Sequence, residues 1–91
     1  MGVAWVYILR CSDGSLYTGW TDDLARRVAR HNAGSASKYT ASRLPVELVF
    51  AVSKADRSAA MREEARIKGL DRAGKLALVG SARGALEPVP G

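Results

Sequence analysis

A chain of 91 residues makes one small domain, and 47% hydrophobic with 25% charged residues excludes a disordered or fibrous protein. Fourteen Lys and Arg against nine Asp and Glu give a net charge of +5, which suits polyanionic partners, nucleic acid before anionic membrane.

Met1 to Leu9 lacks the basic start and long apolar core of a secretory leader, and no apolar run approaches the roughly 20 residues of a membrane span. A soluble, cytoplasmic protein without membrane contact is expected. Val3 to Arg10 is β-branched and aromatic and predicts a strand; being apolar nearly throughout, it belongs at the centre of a sheet. Asp13-Gly14 predicts a hairpin turn, and Leu16 to Trp20 the antiparallel return strand. The single cysteine, Cys11, and single histidine, His31, exclude an internal disulfide and a Cys/His zinc site, as befits a reducing compartment.

Thr21 or Asp22 is expected to cap a helix running to about Asn32, with Asp22 and Asp23 complementing its dipole and Gly34 just past its end. Ser35 to Leu44 reads as an exposed polar loop ended by Pro45, and Val46 to Val52 as a third strand. Asp56 caps a helix from Arg57 to about Leu70, and Asp71 a short one from Arg72 to about Val79. The order ββαβαα predicts an α+β fold, a three-stranded sheet with helices packed on it, over residues 1–80. Residues 81–91, rich in glycine and proline, read as a loosely held tail.

At about 100° per residue, a helix phased from Leu24 places Val28, His31 and Arg27 within about 60° of it, and turns Arg26 and Arg30 to solvent. Arg27 and His31 thus border the apolar stripe; on phase alone, a snorkelling arginine and a satisfied, half-buried histidine are the simpler account. In the second helix Ala60, Met61 and Ile67 define an apolar face, with Glu64 among them in phase and Glu63 at the margin. A carboxylate there needs a partner, a proton or a metal, and a structural ion pair and a functional role stand level. Tyr7 and Tyr17 lie on paired strands but not directly opposite, since Leu9 or Arg10 is closer to Tyr17; their hydroxyls would converge if a bulge intervened.

Taken together, these residues resemble the GIY-YIG nuclease superfamily, and most of all its small stand-alone bacterial members. Trp5-Val6-Tyr7 and Tyr17-Thr18-Gly19 stand where the two signature triplets would, with their tyrosines ten residues apart. Trp5 replaces the first triplet's glycine and Thr18 the second's isoleucine. The segment Thr21 to Asn32 is similar to the family helix, with Arg27 as its catalytic arginine, and Glu64 matches the metal-binding glutamate.

The resemblance implies a metal-dependent endonuclease acting on DNA (single-stranded, duplex or branched), with a place in repair or recombination. Tyr7, Tyr17, Arg27, His31 and Glu64 would be catalytic, and Glu64 would hold Mg²⁺ (or Mn²⁺), for which one carboxylate plus water and substrate phosphate is a normal shell. Arg27 would grip the scissile phosphate, and Tyr7 would serve as base or position the water, a phenol with an ordinary pKa of about 10 that needs a neighbouring cation. Gly19 would let the backbone approach closely. Gly19, Arg26, Arg30, Lys38 and Arg43 would bind nucleic acid, and Tyr39 would stack on a base. A non-catalytic nucleic-acid-binding module, or an interaction domain recruited by a protein partner, are the alternatives.

Overall fold

The apolar N-terminal run becomes the middle of the sheet. A computed structural model describes residues 3–81. Strands β1 (Ala4–Arg10), β2 (Leu16–Thr21) and β3 (Glu47–Lys54) form one antiparallel sheet in the order β2-β1-β3. Helices α1 (Leu24–Asn32) and α2 (Lys38–Ala41) lie between β2 and β3, and α3 (Arg57–Lys68) and α4 (Arg72–Ser81) follow β3.

Alternation along β1 sorts the core into two layers. Ala4, Val6 and Ile8 join Phe50 and the buried Ala60 and Ile67 of α3, with Leu78 and Val79 of α4 packed alongside. Tyr7 and Leu9 face the other way, into a cluster with Leu24 of α1, Val46 and Ala51. The central strand is therefore covered on both faces, as its composition requires.

Several local expectations are corrected. The order is ββααβαα, because Ser35 to Leu44 contains α2. Ser37 caps that single turn by accepting from the Thr40 backbone N–H, and Thr40 is fully buried, so the segment is anchored rather than exposed throughout. The α1 cap is Asp23, whose side chain accepts from the Arg26 N–H; Thr21 instead accepts from the Asp23 N–H, and Asp22 turns away to Arg57. Asp56 and Asp71 cap α3 and α4 as expected. Met61 is exposed, so the buried face of α3 is narrower than its sequence indicates. The helix expected to end at Val79 continues to Ser81, and the remainder of the expected tail lies outside the described residues. No helix among the described residues is long and apolar enough to cross a membrane.

Thr18 shares a strand face with Leu16 and Trp20, and its buried hydroxyl oxygen has no hydrogen-bond partner among the described residues. An unsatisfied buried hydroxyl costs about 1–3 kcal/mol. Thr18→Val should therefore raise stability by about 1 kcal/mol, read as a higher urea midpoint at unchanged slope.

Candidate active site

Strand register brings the two tyrosines together without a bulge in their pairing. Tyr7 stands opposite Gly19 and Leu9 opposite Tyr17, so Tyr7 and Tyr17 are diagonal neighbours on one face; the irregularity in β1 lies on its β3 side, between Ile8 and Leu9. Gly19 makes this arrangement possible. A Cβ there would lie 2.5 Å from Tyr7 Oη and 2.6 Å from Cζ, so the phenol rests across a position that only glycine leaves open.

Tyr7, Tyr17, Gly19, Arg27 and Glu64 line a single cleft of about 380 Å³ beside the edge strand β2. Arg27 comes from α1 on one face of the sheet. Glu64 comes from α3 on the other, between Ala60 and Ile67 in helical phase, and its carboxylate sits 3.3 Å from Lys68 Nζ one turn on. The neighbouring Glu63 is engaged by Arg66, whose hydrogen bonds hold its carboxyl below the usual range. Of the adjacent glutamates, then, Glu63 is the structural one and Glu64 faces the cleft.

His31 is buried behind the cleft and contacts both tyrosines. Tyr7 Oη lies 2.9 Å from Nε2, Thr40 Oγ1 lies 2.8 Å from Nδ1, and the Tyr17 ring packs against the imidazole edge at 5.2 Å between centroids. Thr40 Oγ1 donates to the Ser37 carbonyl, which leaves it to accept from Nδ1–H. We assign His31 that tautomer, so that Nε2 accepts from the Tyr7 hydroxyl.

The other expected contact residues are dispersed. Arg26 and Arg30 line a shallow recess that shares Arg27 and Asp22 with the cleft. Tyr39 stacks on Tyr17, and the Arg43 guanidinium lies 3.9 Å from the Tyr39 ring centre while also pairing with Asp13. Both are occupied within the protein, bracing α2 against the hairpin. Lys38 borders a separate groove beside Gly34 and Ser37.

Residues 3–77 match the family model of the GIY-YIG catalytic domain. The chain belongs to the GIY-YIG family. A UPF0213 protein of Halobacterium salinarum is 56% identical over 73 residues, spanning 80% of this chain and 95% of that one. A UPF0213 protein of Streptococcus agalactiae is 46% identical over 76 residues, spanning 84% and 86%. The solution NMR structure of a UPF0213 protein from Bacillus halodurans covers 90% of this chain and 87% of its own, with a TM-score of 0.60 at 43% identity. The relatives thus include archaeal as well as bacterial proteins.

Within the GIY-YIG signatures the divergent positions pack. Trp5 lies against the α1-side cluster and Thr18 is buried in the opposite layer. Four further residues line this GIY-YIG cleft: Trp20, Thr21, Asp22 and Arg57. Trp20, Thr21 and Asp22 follow the second signature directly, and that adjacency could have marked them. Arg57 carries no such signal, nor does Thr40, which lies in a helix too short to show periodicity.

Burial pushes the Tyr7 phenol well above its ordinary value, Tyr17 and Glu64 push the same way, and Arg27 pulls down without offsetting them. Among the described residues, the Arg27 charge alone does not bring the phenol back to its ordinary range. Burial first and the Arg27 charge second hold the His31 imidazole below its usual range, in keeping with a neutral Nε2 that accepts the Tyr7 hydroxyl hydrogen bond. The folded state then binds fewer protons than the unfolded chain once pH falls below about 6.5, the ordinary imidazole pKa. Stability should be full above that pH and decline below it, toward the lowered folded value. His31→Gln should flatten urea midpoints between about pH 5 and 6.5, where ordinary carboxylates remain ionised.

Proposed function

We propose that this protein is a divalent-metal-dependent endonuclease that hydrolyses phosphodiester bonds in DNA. The observation that carries the reading is the meeting of Tyr7, Tyr17, Arg27 and Glu64 in one polar cleft, although they come from β1, β2, α1 and α3.

Hydrolysis needs a deprotonated water, a cation against the phosphate and help for the leaving oxygen. Arg27 lines the cleft with no ion-pair partner among the described residues, so its forked donors are available to the scissile phosphate. As water bonds to phosphorus and the bond to the leaving oxygen breaks, the water proton passes to Tyr7 Oη, and the Tyr7 proton passes to His31 Nε2, 2.9 Å away. The leaving oxygen takes a proton from solvent. Tyr17 holds the water or a phosphate oxygen from the next position on the same face.

Glu64 would hold one hydrated Mg²⁺ or Mn²⁺. A single carboxylate in an open, polar cleft of about 380 Å³ fits an ion that keeps most of its waters. Bound there, the ion supplies Lewis-acid stabilisation of charge on the phosphate. Arg26 and Arg30, exposed beside Arg27, extend a basic track for the nucleic-acid backbone.

The test is a cleavage panel over single-stranded, duplex and branched DNA and RNA, with Mg²⁺, Mn²⁺ or EDTA. Cleavage of DNA that requires metal supports the reading. Salt-sensitive binding without cleavage under either metal overturns it in favour of a binding module.

A further inference from the structure

Arg57 and Asp22 both line the cleft, Arg57 from the first turn of α3 and Asp22 from the connection between β2 and α1. Their side chains meet at 2.8 Å, with 69% of the arginine and 55% of the aspartate side chain exposed. An ion pair so exposed adds little to stability and exchanges readily for another anion. Nor does the helix explain the arginine, because the positive end of the α3 dipole disfavours a cation in the first turn.

Asp22 also lines the recess that holds Arg26, Arg27 and Arg30. In that recess the Asp23 side chain is already used in capping α1. Asp22 is thus an exposed carboxylate shared by the cleft and the arginine-lined recess, and it occupies Arg57.

We propose that Arg57 is a second phosphate-binding residue of the cleft, held on Asp22 in the free protein and transferred to the nucleic-acid backbone on binding. This rests on the nuclease reading above. Phosphate replaces the Asp22 carboxylate as the acceptor of the same guanidinium donors, and Asp22 sets how much of the Arg57 charge a weakly bound polyanion can reach.

Fluorescence anisotropy with a labelled DNA oligonucleotide in EDTA tests it, using the parent, Asp22→Asn, Arg57→Ala and the double variant, with melting curves to verify folding. Arg57→Ala should weaken binding about tenfold and lower the salt slope by about 0.7–0.9, the loss of one phosphate contact. Asp22→Asn should tighten binding severalfold, and should add nothing once Arg57 is alanine. An unchanged salt slope in Arg57→Ala overturns the proposal. So does an Asp22→Asn gain that persists in the double variant, since that gain is only general charge. DNA binding and metal-dependent cleavage by the parent with neither predicted effect reject Arg57 alone, whereas a parent that does not bind DNA rejects the nuclease reading and this proposal together.

Discussion

Glu64→Gln is expected to yield a folded protein that still binds DNA but cleaves it at least about a hundredfold more slowly than the parent in Mg²⁺. The fold tolerates the change. Glu64 caps no helix, and its ion pair with the exposed Lys68 is an i,i+4 contact worth about 0.3–0.5 kcal/mol. Glutamine keeps the shape and removes the charge that would hold the ion. Arg27→Ala should reduce cleavage by a similar factor, because Arg27 is the cleft-lining arginine with no ion-pair partner among the described residues and so the one free to meet charge on the phosphate. Glu63→Gln is the matched comparison, since it loses the Arg66 bond outside the cleft and should leave cleavage close to the parent rate. The assay is initial-rate nicking of plasmid DNA with chemical unfolding in parallel. Parent-level cleavage by both Glu64→Gln and Arg27→Ala would remove the basis of the assignment.

Gly19→Ala is expected to act through Tyr7. The added methyl would lie 2.5 Å from the phenolic oxygen and 2.6 Å from Cζ, closer than carbon atoms tolerate. Tyr7 cannot swing aside cheaply, being almost wholly buried and bonded to His31. Overpacking of this kind costs about 1–3 kcal/mol. It should also displace the hydroxyl and reduce cleavage by about 10²–10⁴, the range expected for loss of a proton-transfer group. The two effects separate in a second background. With Tyr7→Ala the clash is gone, so adding Gly19→Ala should cost little further stability. A full additional loss there would show that Gly19 is needed for its own backbone rather than for the space above it.

The sequence implies that Gly19 lets the backbone approach the site closely. Register adds that it is the floor beneath Tyr7, a role that becomes visible only when β1 and β2 are aligned residue against residue. His31 shows the same limit. Helical phase put it at the edge of the apolar stripe, yet it is buried with both ring nitrogens satisfied, one by a strand tyrosine and one by Thr40 of a helix that its sequence conceals.

What the sequence by itself determined is local or ordered along the chain. Dense β-branched and aromatic residues made β1 a central strand, Asp13-Gly14 turned the hairpin, and Asp56 and Asp71 started helices, because each feature acts within a few residues of itself. The ordered set of Tyr7, Tyr17, Arg27, His31 and Glu64 carried the family resemblance. Tertiary structure alone decided among equivalent local choices and joined distant ones. Thr21, Asp22 and Asp23 all offer capping oxygens, and where the chain leaves β2 selected Asp23. One turn of helix has too little internal hydrogen bonding to stand alone, so α2 depends on its Ser37 cap and on Thr40 reaching His31. Asp22 and Arg57, 35 residues apart, meet because α1 and α3 cover opposite faces and both border the β2 edge. Such contacts depend on sheet register and helix packing together, which no short stretch of residues encodes.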